Sequence, residues 1–430
     1  MFLKSIELTN FRCFKHLHLD FYSTETKVRQ RTVLLGENST GKSTILKAIS
    51  LVLLGSNALG ELIGNPSDWI KFGEDKCQIK IVTNENTEED AIYTVFELII
   101  HRGDTLRDVI DRNKATLEFV DIAQKNLLVL GYGVSRRLGS SSDFTKNGSH
   151  TGNVATLFNR NANLLSLESW AIDMDYRDEK EGLKLVKKII NKFLPEVKFE
   201  GIDKHKKQLL FKTKDGIIPL EYLSDGYQNI AAWLGDMLYR MTDDDTPDYF
   251  QQKAPTKKPK KSPKVSPLDK EGILLIDEIG LHLHPKWQRQ LLDFIHKNFP
   301  KIQLIATTHS PFIAQQLSEN ELFTLNRNEL DDINLIQFEQ APNRLLIHQV
   351  VMSDMFGLET DESMETEQMK HTFDTLNSSE NLTETDKQKL EQMEQQLQEL
   401  PVNIHQNTFY DKEYMKLLKD INKEIKKDKA

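Results

Sequence analysis

Cysteine is scarce in this chain: among 430 residues only Cys13 and Cys77 occur, far apart and without the spacing of zinc ligands. This scarcity argues against a disulfide-stapled scaffold and favours a reducing compartment, which we expect to be the cytoplasm. No apolar run approaches the ~18 residues of a membrane-spanning helix, so no membrane partner is expected. The opening residues Met1–Leu8 alternate as in a β-strand and do not resemble a signal peptide.

Positive charge is also in short supply, since the formal net charge is −9 at pH 7. The whole chain therefore lacks the basic excess typical of nucleic-acid-binding proteins, and any such contact must be local. Lys253–Lys264 is the exception, because lysines alternate there with prolines within residues 250–270. Such a composition builds no core, so we interpret 250–270 as an extended, mobile, solvated insertion. Contact of its lysines with DNA or RNA phosphates is the alternative.

A glycine-framed loop lies between an apolar, β-prone stretch and a helical pattern. The predicted nucleotide-binding residues there are Gly36, Glu37, Asn38, Ser39, Thr40, Gly41, Lys42, Ser43 and Thr44. Strand, loop and helix in this order predict a phosphate loop, in which backbone N–H groups and the start of the helix hold the β-phosphate of ATP. Lys42 is expected to reach the β- and γ-phosphates, and the Ser43 hydroxyl to bind Mg²⁺.

Two acids follow a second apolar stretch. The run Gly272–Ile276 is typical of a central parallel strand buried on both faces, and Asp277 and Glu278 come directly after it. Open α/β sheets place their ligands at this end of the strands. We therefore expect Asp277 to hold Mg²⁺ through water and Glu278 to polarise the water that attacks the γ-phosphate. His309 follows the next apolar strand, where we expect its imidazole to contact the same phosphate.

A third polar segment opens a predicted helix; its candidate phosphate-binding residues are Ser224, Asp225, Gly226 and Gln228. A serine at a helix start with a following glycine presents a hydroxyl and bare N–H groups to an anion. The first loop already holds one side of a nucleotide. We therefore expect this segment, called the signature segment below, to contact the γ-phosphate of a nucleotide bound to another protomer. An ordinary helix cap is the alternative.

In their order, these motifs resemble the ABC-type ATPase head, and most closely the soluble heads related to SMC, Rad50, RecF and OLD proteins. Asn10-Phe11-Arg12-Cys13-Phe14 is similar to the opening strand turn of that branch. The resemblance implies that Arg12 approaches the phosphates, with ATP and Mg²⁺ as cofactors. The segment 276–288 is similar to that of stand-alone ATPases in bacterial anti-phage systems such as Septu, in which the ATPase acts with an HNH nuclease.

The resemblance implies an α/β fold, that of a P-loop NTPase of the ABC-head type. Such a head has a mixed central sheet, an antiparallel β-subdomain and a helical subdomain. It is expected over residues 1–340, with a nucleotide lobe over 1–135, a helical insert over 136–222 and a lobe carrying the acidic strand over 223–340. A C-terminal helical extension over 341–430 is expected to serve assembly or partner docking.

Two further local interpretations bear on the site. Leu117–Val120 is predicted to be a strand, and residues 157–176 a single helix. The glutamine loop that the resemblance implies is placed either at Gln124 or in the segment Gly131–Arg137. Both alternatives remain open from the sequence.

Several activities are excluded by what the chain does not contain. Roughly 180 residues separate Lys42 from Ser224 without a long heptad run, which excludes coiled-coil arms. Residues 341–430 carry neither the isolated Glu and D-x-D strand end of a Toprim nuclease nor an HNH pattern. The polypeptide itself is therefore not expected to be a nuclease.

The function that remains is a slow ATPase subunit. We expect it to dimerise or oligomerise head-to-head around ATP and to regulate a separate, HNH-like nuclease in anti-phage defence. Slow turnover is expected, and the departures of Asp225 and Gly280 from the usual residues of such heads leave its rate open. A RecF-like DNA-repair ATPase that clamps duplex DNA directly, and a nucleotide-gated scaffold with little turnover, are the alternatives.

Overall fold

The chain forms two compact units, Met1–Leu358 and Glu359–Ala430, in a computed structural model. The division falls beyond residue 340, where the resemblance placed the end of the head, and the lobes expected within the head remain predictions. Lys253–Lys264 and Gln124 lie outside the described residues. The structure describes residues 1–23, 28–84, 93–123, 127–138, 150–177, 181–194, 197–242, 270–329, 331–358, 360, 362–378 and 383–398.

The described strands all lie in the first unit. They are β1 (Phe2–Phe11), β2 (Phe14–Asp20), β3 (Arg31–Gly36), β4 (Lys76–Asn84), β5 (Tyr93–His101), β6 (Leu128–Tyr132), β7 (Arg137–Leu138), β8 (Asn163–Leu164), β9 (Lys198–Asp203), β10 (Gln208–Thr213), β11 (Gly216–Pro219), β12 (Gly272–Ile276), β13 (Ile302–Thr307), β14 (Leu322–Arg327) and β15 (Ile333–Gln337).

Helices lie between these strands and continue into the second unit. They are α1 (Lys42–Leu53), α2 (Gly55–Leu62), α3 (Leu106–Arg112), α4 (Lys114–Ala123), α5 (Ala155–Phe158), α6 (Leu167–Arg177), α7 (Glu181–Phe193), α8 (Asp225–Thr242), α9 (Pro285–Asn298), α10 (Pro311–Ala314), α11 (Ile347–Val351), α12 (Met364–Asn377) and α13 (Glu384–Gln398).

The central sheet has the strand order β15-β14-β3-β13-β12-β6. Its strands run parallel except β15, which pairs antiparallel with β14. Successive residues of β12 face opposite sides: Ile273 and Leu275 join one hydrophobic core, and Leu274 and Ile276 join the other. Burial on both faces explains why β12 is apolar at every position.

Each core holds a different subdomain against the sheet. One contains residues of α1 and of the antiparallel sheet β2-β1-β4-β5. The other contains residues of α6, α7, α8 and α9 and of the small antiparallel sheet β11-β10-β9. In α8 every residue from Ile230 to Thr242 except Arg240 is buried, so this helix is a central element of the second core. The expected α/β fold of the ABC-head type is confirmed.

The strand predicted at Leu117–Val120 is wrong, because these residues belong to the helix α4. Leu117 and Val120 are both buried, and they are three positions apart on one helical face. Glu118 and Asp121, which flank them, are exposed. The apolar spacing was therefore helical, although the short run of apolar residues suggested a strand.

The single helix predicted over residues 157–176 is also wrong. It is interrupted after α5, where the Asn159 side chain accepts a hydrogen bond from Asn161 N at 2.9 Å. This is the local turn that asparagine favours over helix. The α6 helix then begins after Ser166, whose hydroxyl accepts from Ser169 N at 3.0 Å.

The second unit contains the helices α12 and α13, which pack against each other. Ser363 caps α12 by accepting from Thr366 N at 3.2 Å. Within the described part of the chain, no helix combines the length and the apolar character that crossing a membrane requires.

Gln303 on β13 connects the central sheet to the antiparallel sheet. Its fully buried side chain accepts from Leu3 N at 2.7 Å and donates to Leu3 O at 3.0 Å. We expect Gln303→Met to lower the free energy of unfolding by about 2 kcal/mol, because both Leu3 groups lose their partner in a buried position. Urea denaturation measures this difference.

A matched control is Gln30→Met, which removes an exposed hydrogen bond from Gln30 Nε2 to Pro300 O at 3.0 Å. This substitution is expected to change stability by less than about 0.5 kcal/mol. Equal unfolding midpoints for the two variants would contradict the structural role of Gln303.

Candidate functional site

The glycine-framed loop joins the end of β3 to the start of α1, as its sequence predicts. Gly41 precedes the helix with a φ of 91°, a conformation that favours glycine. A Cβ on Gly36 would lie 2.5 Å from Leu325 O, so only glycine fits at the end of β3. Inside the loop, Lys42 Nζ donates to Gly36 O at 2.8 Å and to Glu37 O at 2.7 Å. The ammonium group therefore lies within the turn of the loop.

Asp277 lies beside this loop, at the carboxyl end of β12. Its two carboxylate oxygens accept separate hydrogen bonds, one from Ser43 Oγ at 2.7 Å and one from Thr307 Oγ1 at 2.6 Å. The backbone N–H of Glu278 in turn donates to Thr307 Oγ1 at 2.8 Å. Because β13 lies between β3 and β12, Thr307 at its end bridges the loop side and the acidic side of the site.

Glu278 and His309 form a second pair at the same edge, with His309 Nε2 3.3 Å from Glu278 Oε1. Burial raises the pKa of Glu278, and the neighbouring charge of Asp277 raises it further. Burial lowers the pKa of His309, with a further contribution from Lys42. Both shifts favour the neutral forms, so Glu278 is a stronger base than an exposed glutamate and His309 is a weaker base than an exposed histidine.

These groups line one cavity of about 480 Å³. Its walls include four cationic side chains, Arg12, Lys42, Lys47 and Arg160, and the two acids Asp277 and Glu278. Among the residues that the structure describes, Lys47 and Arg160 have no carboxylate partner. A ligand with several negative charges would balance this excess of positive charge.

Arg12 is fixed at the cavity wall by an aromatic contact. Its guanidinium lies 3.8 Å above the Trp69 ring, and its backbone N–H donates to Trp69 O at 2.8 Å. Within the described part of the chain, the buried Nε of Arg12 has no hydrogen-bond partner, and burial lowers the pKa of the guanidinium. A side chain held in this way is ready to donate to an anion in the cavity.

Most of the residues predicted from the sequence meet in this cavity. The lining contains Arg12, Asn38, Ser39, Gly41, Lys42, Ser43, Thr44, Asp277, Glu278 and His309. Gly36, Glu37 and Thr40 belong to the loop but do not line the cavity; the Thr40 hydroxyl donates to Glu37 O at 2.9 Å. The parts these residues play in binding remain predictions.

The signature segment does not line the cavity of its own chain. Ser224 and Asp225 are exposed, and Gln228 Nε2 donates to Glu221 O at 2.9 Å and to Leu223 O at 2.8 Å. Gly226 packs near His282 O, which would lie 3.3 Å from an added Cβ. An exposed position suits a segment that contacts another protomer, and this role remains a prediction.

The sequence did not identify three residues of the site, Lys47, Arg160 and Thr307. It included Arg136 only as a member of Gly131–Arg137, one alternative for the glutamine loop. Lys47 follows Thr44 by three positions and so lies on the same face of α1, a signal that could have found it. Arg160 comes from the turn after α5, which no motif connects to the loop. Arg136 lies beneath the acids, and its Nη2 donates to Asp277 O at 2.7 Å and Glu278 O at 2.8 Å.

The segment Gly131–Arg137, one alternative for the glutamine loop, reaches the cavity through Gly133 and Val134. The other alternative, Gln124, cannot be compared with it, because that residue is outside the described ranges. Oxygen donors suited to Mg²⁺ are present at the loop, namely the Ser43 hydroxyl and the Asp277 carboxylate.

Strand, loop, helix and acidic strand end together define an α/β P-loop fold of the ABC-head type. Residues 1–126 match the family described as "AAA ATPase domain". Residues 128–314 match the family described as "AAA domain, putative AbiEii toxin, Type IV TA system".

The chain is homologous to the Septu protein PtuA. It is 28% identical to the protein of this name from Bacillus mycoides (strain KBAB4) over 360 residues, which are 83% of this chain and 45% of the relative. It is 26% identical to that from Bacillus thuringiensis over 329 residues, 72% of this chain and 73% of the relative. The chain thus spans less than half the length of the first relative.

Among solved structures, the chain can be matched to the SMC head bound to the C-winged helix domain of ScpA. The match covers 79% of this chain and 98% of that chain, at 16% identity and a TM-score of 0.46.

The cationic wall of the cavity can be tested at Lys47. We expect Lys47→Met to weaken binding of a non-hydrolysable ATP analogue by about tenfold, because hydrogen bonds to charged groups contribute ~1.5–3 kcal/mol. Isothermal titration calorimetry measures this. Lys71→Met is the matched control, since Lys71 Nζ donates to Cys13 O at 3.3 Å beside the cavity but does not line it. Equal loss of affinity in both variants would show that Lys47 acts only through long-range charge.

Proposed function

We propose that the chain is an ATP-binding and hydrolysing subunit whose heads pair around ATP and control a separate effector. One observation carries this proposal: the Ser43 hydroxyl and the Asp277 carboxylate meet at 2.7 Å in a cationic cavity, with Glu278 beside them. This combination supports nucleotide hydrolysis better than binding alone, because a buried second acid is costly without a use.

ATP binding is assigned to the loop and the cationic wall. The Lys42 ammonium, which donates to two loop carbonyls, is placed to turn towards the β- and γ-phosphates. Arg12, Lys47 and Arg160 supply the remaining positive charge of the cavity. Ser43 and Asp277 would hold Mg²⁺, which neutralises charge on the phosphates when bound.

Hydrolysis is assigned to Glu278 and His309. A carboxylate with a raised pKa is a stronger base than an exposed glutamate and is suited to accept a proton from the attacking water. His309, 3.3 Å away and mostly neutral because its pKa is lowered, is suited to donate a hydrogen bond to the γ-phosphate. Thr307 holds the backbone of Glu278 in place during this step.

Pairing of two heads is assigned to the signature segment. Ser224 and Asp225 are exposed, and Gln228 stabilises the turn that presents them. Contact of these residues with the γ-phosphate in a second protomer would complete the site and couple assembly to ATP.

The effector is proposed to be a nuclease in anti-phage defence. Support comes from homology to the Septu protein PtuA and from the implied HNH nuclease partner of Septu systems. The polar helices α12 and α13 are a candidate docking element for that partner or for assembly.

Replacement of Glu278 tests the enzymatic part of the proposal. We expect Glu278→Gln to lower ATP turnover by about 10²-fold or more, the typical contribution of a general base, while ATP still binds. A dimer locked by ATP should then accumulate. Phosphate release and light scattering after size exclusion measure the two effects.

The matched control is Glu61→Gln, at an exposed position on α2 outside the cavity, which is expected to turn over ATP like the unchanged chain. If the unchanged chain shows no detectable ATP turnover, the proposal that it is an enzyme is contradicted. The nucleotide-gated scaffold would then be the function that remains. Locked dimers with undiminished turnover would contradict the role of Glu278.

A further inference from the structure

Arg136 is a buried cation directly beneath Asp277 and Glu278, which are called the acidic edge below, and it lies in Gly131–Arg137, one of the two alternatives for the glutamine loop. Its Nη2 donates to Asp277 O at 2.7 Å and to Glu278 O at 2.8 Å, and its Nε donates to Gly133 O at 3.2 Å. Burial lowers the pKa of the guanidinium to about 10, and the charges of Asp277 and Glu278 oppose that shift. The group therefore remains charged at neutral pH.

The backbone that Arg136 holds is strained. Glu278 has a φ of 50°, which is unusual for a residue with a side chain. Such a conformation persists only where surrounding contacts fix it. The bond from Arg136 to Glu278 O and the bond from Glu278 N to Thr307 Oγ1 hold this peptide from both sides.

Arg136 also reaches α8, the helix that begins within the signature segment. Its Nη1 donates to the side chain of Asn229 at 3.1 Å, and Asn229 lies in the first turns of α8. A planar guanidinium donates in several fixed directions, so one side chain can hold two backbone segments in register. The same group thus contacts the acidic edge of its own cavity and the start of the helix that begins at the signature segment.

A second polar connection joins the same two elements. Tyr132 O accepts from Asp277 N at 2.8 Å, and the Tyr132 hydroxyl donates to Asp236 on α8 at 3.0 Å. Arg240 completes this buried group by donating to Asp236 at 2.7 Å. The α8 helix is therefore held against β6 and β12 by polar bonds as well as by its apolar face.

We propose that Arg136 is a positioning residue that couples the nucleotide cavity of one head to the signature segment of the same head. Through its bonds to Asp277, Glu278 and Asn229, a change at the acidic edge would shift the first turn of α8. This inference rests on the proposed function. It would connect the two composite sites of a head dimer, because each head offers its cavity to one site and its signature segment to the other.

The test uses Asn229→Leu in the full chain. This substitution removes the acceptor on α8 and leaves the bonds of Arg136 to the three carbonyls intact. Arg136→Met is less suitable, because it would leave three carbonyl oxygens without their donor. Amide hydrogen exchange is measured with and without Mg-ADP, which lacks the γ-phosphate that a second head would contact, and the oligomeric state is recorded.

In the unchanged chain we expect Mg-ADP to alter exchange both in the loop 36–44 and in the α8 residues 225–231. In Asn229→Leu the response of the loop should persist, while the response of 225–231 should fall about fivefold, the effect expected for one hydrogen bond. Asn229→Asp restores an acceptor of the same shape and should restore the response.

Asn153→Leu is the matched control, since Asn153 accepts from Arg240 Nη1 at 2.6 Å and removing it breaks an Asn–Arg bond at the other end of α8. It should leave the response of 225–231 unchanged. An equal response of 225–231 in Asn229→Leu and the unchanged chain would overturn the inference. The inference would also be overturned if, in the unchanged chain, Mg-ADP altered exchange in the loop 36–44 but not in the α8 residues 225–231. Absence of any response in the loop would instead contradict nucleotide binding, and with it the function on which the inference rests.

Discussion

The hydrogen bond from Ser43 to Asp277 is the contact on which the site depends. It joins the first residues of α1 to the end of β12, two elements separated by more than half of the chain. The strand order β3-β13-β12 brings them together and places Thr307 between them. Because β3, β13 and β12 are neighbours in one sheet, the long insertion between β3 and β12 does not disturb the positions of the site residues. Catalytic groups need such accurate placement.

Balance of buried charge explains much of the remaining architecture. Asp277 and Glu278 are adjacent acids at a buried strand end, which is unfavourable unless cations face them. Lys42 approaches from the loop, and Arg136 approaches from below, where it binds the carbonyl groups of both acids. The further cations Arg12, Lys47 and Arg160 also line the cavity, where a polyphosphate would balance them. Lys42 and Arg136 thus balance the charges of Asp277 and Glu278, and the remaining cations give the cavity positive charge for a ligand.

The sequence predicted those parts of the site whose signal is local. A glycine-framed loop between strand and helix is a local pattern, and so are two acids after an apolar strand. The α/β fold and the meeting of Ser43 with Asp277 could therefore be predicted. The contacts of Arg136 and Arg160 could not be predicted. They depend on strand order and on a turn at Asn159 that no sequence pattern indicates. The strained φ of Glu278 likewise arises from tertiary contacts. The helix α4 differs from its prediction for another reason. Its short apolar run is typical of a strand as well, and only the three-residue spacing of Leu117 and Val120 indicates a helix.

In our proposal the cavity is half of a composite ATP site. An experimental structure of the Glu278→Gln chain with Mg-ATP would test this. We expect Mg²⁺ at the Ser43 hydroxyl and the Asp277 carboxylate, and the partner's Ser224 within hydrogen-bond distance of the γ-phosphate. A bound nucleotide whose γ-phosphate faces solvent, or is contacted by Ser224 of the same chain, would contradict it.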